Sequence, residues 1–154
     1  MRYWDASALA PLLVAEDRTD DARAWLRQEP GVVTWAWTRV ELTSAVERRV
    51  REGVVTRRQR REVIDRLATF AEAWDEVSDI LAVRMRALSL LGRHALRAAD
   101  AAQLGAAMLV REHVQSPFAF VCLDARLAAA AELEGFDVLP DPTLPDAGEQ
   151  LTGG

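Results

Sequence analysis

The chain has 154 residues, half of them hydrophobic and 28% charged, with a formal net charge of −5. That size suits one domain with a true core, and the negative balance excludes a global basic field that would draw the chain to nucleic acid or an anionic membrane. The single Cys122 excludes an internal disulfide; with no basic-apolar leader and no apolar run near the ~18 residues of a membrane span, a cytoplasmic protein is expected.

Residues 1–4 are short and apolar, as a buried strand requires, and a helix is predicted over 6–15. A second helix follows over 19–28, with Ala22, Trp25 and Leu26 on one face. Pro30 and Gly31 break the chain before a strand at 32–34. A long helix over 35–51 stops at Gly53, which can take the left-handed backbone. Thr56 and Gln59 have capping-box spacing, and the apolar period of Val63, Leu67, Phe70 and Trp74 predicts another helix. A weak strand is read at 75–77, then a helix from Ser78 bearing Leu81, Met85, Leu88 and Leu91 and ending at Gly92.

After a connection over 93–99, Asp100 is expected to open an alanine-rich helix to about residue 114. The unbroken apolar run 118–123 suits a central strand covered on both faces. Asp124 precedes a helix to Glu134, Gly135 stops it, and a last strand covers 136–139. One domain over 1–140 is expected, and the Pro/Gly-rich residues 141–154 read as a disordered tail. Strands alternating with helices imply a parallel sheet covered on both sides, with ligands bound outside its carboxyl edge.

That topology brings acids distant in sequence to one edge. Asp5 ends the first strand, Asp124 the long apolar strand; Glu41 and Asp100 lie early in helices whose N-termini face the same way. Each Asp alone reads as a helix cap, and Thr38 to Glu41 fits a capping box. Together they repel one another. A divalent cation such as Mg²⁺ or Mn²⁺ removes that difficulty, because it prefers oxygen ligands.

The segments Tyr3-Trp4-Asp5-Ala6-Ser7-Ala8-Leu9, Val40-Glu41-Leu42, Leu96-Arg97-Ala98-Ala99-Asp100-Ala101 and Phe120-Val121-Cys122-Leu123-Asp124-Ala125-Arg126-Leu127 resemble, in order and spacing, the PIN-domain family, and within it the VapC toxins of toxin–antitoxin pairs. The resemblance implies an α/β, three-layer α/β/α sandwich around a parallel sheet of about four or five strands. It implies an endoribonuclease cutting single-stranded or loop regions of RNA, of the tRNA or rRNA class, with Mg²⁺ or Mn²⁺ held by Asp5, Glu41, Asp100 and Asp124. Ser7 takes the place of a supporting hydroxyl. Gln103 stands where the family often has histidine, a departure expected to touch a supporting contact at most. A VapB-like antitoxin and a homodimer are implied partners, with the helices over 37–50 and 78–91 as candidate dimer faces.

Arg97 and Arg126, beside the acids in sequence, are first candidates for holding the RNA backbone. The arginine cluster over 48–61 reads as a solvated face or as an RNA-tracking groove, and Trp37 as packing or as a wall of the site. A receiver domain is excluded by the lack of lysine, a haloacid-dehalogenase-like phosphatase by Ser7 in place of a second Asp, and a Rossmann or P-loop binder by the missing glycine-rich turn. A housekeeping PIN nuclease and a non-cutting PIN-like adaptor remain as alternatives.

Overall fold

Alternation along the strands determines how the layers form. Trp4, Val32 and Val121 point to one face of the sheet and Tyr3, Val33 and Phe120 to the other, and all six are buried. A strand covered on both faces reads as continuous apolar sequence. The computed structural model describes residues 1–15, 17–114 and 117–141; most of the expected tail, 142–154, lies outside the described residues.

Among the described residues there are five strands and seven helices: β1 (Arg2–Trp4), α1 (Ala6–Leu13), α2 (Thr19–Gln28), β2 (Val32–Trp35), α3 (Thr38–Arg51), α4 (Arg57–Ala71), β3 (Asp75–Val77), α5 (Ile80–Leu91), α6 (Ala98–Arg111), β4 (Ala119–Val121), α7 (Ala125–Leu133) and β5 (Asp137–Leu139). The sheet is wholly parallel, in the order β3-β2-β1-β4-β5. Helices α1 to α4 pack on the Trp4 face and α5 to α7 on the Tyr3 face, giving the expected α/β/α layering. Central β1 pairs Tyr3 with Val33 of β2 and with Phe120 of β4, where the two rings stack at 5.2 Å. The chain leaves β1 towards β2 on one side and meets β4 on the other, so the switch point, and its crevice, lies at the carboxyl end of β1.

Local signals explain most boundaries. Thr56 and Gln59 form the capping box that starts α4, each accepting the other's backbone N–H. Gly53 and Gly135 carry φ of 75° and 83°, the left-handed stops a side chain would strain. Trp35, expected to begin the long helix, instead stays in β2 opposite Val77. The Ala36 N–H also bonds to the Val77 carbonyl, so the sheet ladder claims backbone the helix would have used. Helix α6 starts at Ala98, with Asp100 in its first turn rather than at its opening.

The apolar stripe of α5 is the main surprise. Leu81, Met85 and Leu88 are about three-fifths exposed, while Val83, Ala87 and Leu90 face the core. Both faces of α5 are apolar, so periodicity cannot choose between them. The choice falls to close packing: a Cβ on Gly105 of α6 would stand 3.2 Å from the Val83 carbonyl oxygen and 3.3 Å from the Ala87 nitrogen. Only the face bearing small Ala87 fits so near an alanine-rich neighbour.

Candidate active site

Asp5 follows β1 directly. Its N–H bonds to the Val121 carbonyl of β4 at 3.0 Å, fixing its carboxylate over the junction of the two strands. One carboxylate oxygen caps α1, accepting the Ser7 N–H at 2.9 Å and the Ser7 hydroxyl at 2.5 Å. Ser7 Oγ in turn accepts the Leu123 N–H at 2.9 Å, tying α1 to the end of β4. Asp5 is thus a helix cap and a buried acid at once. Desolvation raises its pKa, the Ser7 hydrogen bonds oppose that rise, and the charge of Asp100 adds to it. The Cys122 thiol lies 3.7 Å from the same oxygen. Burial, then Asp5, pushes that thiol well up, so it stays an uncharged packing group.

Glu41 reaches the site from the first turn of α3. The expected Thr38 capping box does not form: Trp37 is the N-cap residue, and Thr38 turns inward. The Thr38 hydroxyl accepts the Gln103 amide at 3.0 Å and lies 2.7 Å from the Thr34 hydroxyl, which donates to the Trp4 carbonyl at 2.7 Å. Gln103, 1% exposed, accepts the Tyr3 hydroxyl at 2.7 Å and gives its other N–H to Glu41. Every hydrogen of that amide is used. Removing one partner of such a buried network costs about 1–3 kcal/mol for each group left unpaired. The Glu41 carboxyl is pushed from its ordinary 4.5 to about 7, by burial foremost, with Gln103 opposing and Asp5 and Asp100 adding repulsion.

Asp100 accepts the Arg97 N–H at 3.2 Å in the first turn of α6 and acts electrostatically on both Asp5 and Glu41. The fold therefore brings Asp5, Glu41 and Asp100 together. Asp124 adjoins them through Cys122, whose thiol feels the charges of both Asp5 and Asp124. Asp124 is exposed, and one oxygen accepts the N–H groups of Arg126 and Leu127 at 2.9 and 3.0 Å, capping α7. Among the described residues no three acidic, histidine or cysteine side chains form a ready cage for a cation. The donor set nonetheless suits a hard divalent ion: carboxylates and a hydroxyl, Asp5 and Glu41 both desolvated, and repulsion that a cation would relieve.

Arg97, the N-cap residue of α6, and Arg126, on the first turn of α7, are exposed. The arginine cluster divides. Arg58 pairs with Glu62 and Arg60 with Glu47; Arg48 lines a groove of about 840 Å³ that also contains Ser7, Glu41 and Trp37. His94 bonds to Glu134 and His113 to the Leu109 carbonyl, away from the acids. Sequence reasoning missed Tyr3, Thr34 and Thr38 as supports of the site. Their signal was polarity at positions that the strand and helix patterns mark as core.

With acids gathered at the carboxyl edge of a five-stranded parallel sheet between two helical layers, the fold is PIN-like. The chain is 32% identical over 143 residues to Ribonuclease VapC47 of Mycobacterium tuberculosis (strain CDC 1551 / Oshkosh), covering 88% of this chain and 93% of that protein. No protein-family model matches. The chain belongs to the VapC family of PIN-domain ribonucleases. No described helix is long and apolar enough to cross a membrane.

The raised Glu41 pKa has a consequence for stability. Between about pH 4.5 and 7 the folded chain holds a proton that the unfolded chain has lost, so stability is full below that window and falls as pH rises through it. Asp5, also raised, contributes with the same sign. Glu41→Gln is expected to flatten the slope and to be the more stable protein above the window, by ~1–2 kcal/mol after allowing for screening at its partly exposed end. Urea midpoints across pH measure this; an unchanged slope would place the titration elsewhere.

Proposed function

We propose that the protein is a metal-dependent endoribonuclease that cuts single-stranded or loop regions of RNA as the toxin of a VapBC pair. The observation that carries the reading is the trio of Asp5, Glu41 and Asp100, coupled through space where Asp5 is buried. Asp5 and Asp100 would hold Mg²⁺ or Mn²⁺, with Glu41 and Asp124 completing the shell directly or through water. When bound, such an ion lowers the pKa of water and offsets charge on a phosphate oxygen. Ser7 holds the Asp5 carboxylate in place from the α1 side. Glu41, held against the same site by Gln103, would take the proton of an attacking water at its carboxylate. Water oxygen then bonds to phosphorus, the ester P–O bond breaks, and the leaving oxygen takes up a proton. Arg97 and Arg126, on the rim, would hold backbone phosphates.

Partners follow from the same reading. A VapB-like antitoxin would present a guanidinium, which pairs bidentately with carboxylates, to the acid trio. The exposed stripe Leu81, Met85, Leu88 and Leu91 is larger than scattered surface apolar residues explain and is the proposed homodimer face. An RNA of the tRNA or rRNA class is the expected substrate, cut in the cytoplasm.

Asp5→Asn is expected to lower metal-dependent cleavage of single-stranded RNA at least ~100-fold, the order of one lost electrostatic element, with an unchanged circular dichroism spectrum. Mn²⁺ should raise the melting temperature of the wild type reversibly to EDTA, and should not do so for Asp5→Asn/Asp100→Asn. Full activity in a folded Asp5→Asn protein would reduce Asp5 to a helix cap. A second expectation concerns the neighbouring gene: co-expression of a small upstream product should suppress toxicity and yield a complex without RNase activity. A chain harmless to its host at high level, bound by no such product, would remove the toxin role and leave the nuclease. Met85→Glu should convert the dimer to monomer in sedimentation velocity. A wild type that is monomeric at all concentrations would rule out the α5 face.

A further inference from the structure

The face of α3 that carries Glu41 also carries groups the reaction itself does not use. Trp37, Glu41, Ala45 and Arg48 recur at helical spacing and line the same groove. Trp37 lies about 6 Å before Glu41 along the axis and Arg48 about 10 Å beyond it, at 1.5 Å per residue. The acid centre is therefore flanked by an aromatic ring on one side and a cation on the other.

Trp37 is 53% exposed, unusual for so large an apolar ring. It is also held in place. Trp35 lies behind it, ring centroids 6.3 Å apart at 34°, and Trp35 packs against the core. An exposed but braced indole loses little freedom when a flat partner stacks on it. At the other end Arg48 of α3 lines the groove, together with Arg18, which pairs with Asp21, and with the acidic Asp17 and the small Ala6, Ala10 and Ala45. Neighbouring Arg58 and Arg60 are engaged with Glu62 and Glu47. The protein carries a net charge of −5, so a polyanion gains nothing from the overall field and must be held by a local cation such as Arg48.

We infer that this groove is a two-sided subsite for single-stranded RNA: the nucleobase next to the cut phosphate stacks on Trp37, and the strand on the opposite side runs along the small-residue floor to Arg48. The inference rests on the nuclease reading for the position of the phosphate, and it adds to it a directionality and a base-recognition element. Stacking tolerates any base but favours the larger purines. The site therefore tells an unpaired base from a paired one, because only an unstacked base can reach the indole.

The test uses full-length protein and a short fluorescein-labelled single-stranded RNA of mixed sequence, with affinity read by anisotropy on the Asp5→Asn background so that cleavage does not intrude. Adding Trp37→Ala is expected to weaken binding ~10-fold or more, the order of one lost base stack. Trp37→Phe should recover most of it, and Trp37→Leu, which keeps apolar contact with Trp35 but has no π face, should not. Arg48→Ala should reduce the salt slope of log affinity by about 0.7, one single-strand phosphate contact, while the paired Arg58→Ala leaves it unchanged. In proteins that retain Asp5, Trp37→Ala should raise KM with kcat nearly constant.

Equal RNA affinity with and without Trp37→Ala overturns the subsite even where the wild type cleaves; weaker antitoxin binding by that variant would then assign the groove to a peptide. A wild type that cuts no RNA overturns the nuclease reading alone if Trp37-dependent binding persists. RNA that binds no form of the protein overturns both.

Discussion

Asp5 holds a carboxylate where burial and the nearby charge of Asp100 oppose its ionisation. Much of the surrounding structure follows from that constraint. The Ser7 hydroxyl and N–H are spent on one oxygen of Asp5, and the backbone of β4 is spent on fixing Asp5 and Ser7. A cap alone needs none of this expense of position, since an exposed Ser or Thr caps a helix as well. The central strand thus ends in a group that destabilises the ionised fold, as sites of function commonly do.

The layer order was legible because its signals are local and redundant. Double-faced apolar strands, the Thr56 capping box and the glycines at 53 and 135 each point the same way. Where two demands compete for the same atoms, sequence is a poorer guide. Trp35 and Ala36 suit a helix start as well as a strand end, and the pairing with Val77 decides. Helix α5 has two apolar faces, and the choice rests on a glycine in another element. Neither fact is written within the segment it governs.

The candidate site divides in the same manner. That Asp5, Glu41 and Asp100 meet followed from parallel topology alone. Asp124 shares the edge, but its side chain is engaged by its own helix. The cap reading and the acid-cluster reading are thus compatible for Asp5, while hydrogen bonds favour the cap for Asp124. Thr38 misled because its spacing to Glu41 imitates a capping box, whereas its hydroxyl belongs to a contact 65 positions away with Gln103. Pairings at such separation leave no local trace beyond an out-of-place polar residue.

Gln103 has a consequence of its own. Its amide has distinct ends, and Tyr3 donates to the oxygen while Thr38 and Glu41 receive the two N–H groups. With the Thr34 hydrogen given to the Trp4 carbonyl, the Thr38 hydrogen must go to Thr34. One branch therefore runs from the amide through Thr38 and Thr34 to the Trp4 carbonyl, while Tyr3 donates into the amide and the second N–H goes to Glu41. An amide neither gains nor loses a proton at any ordinary pH. The linkage beneath the acids therefore passes no proton through the amide between Glu41 and the Tyr3 hydroxyl, although the charges of Asp5 and Glu41 still reach Tyr3 through space and raise its pKa.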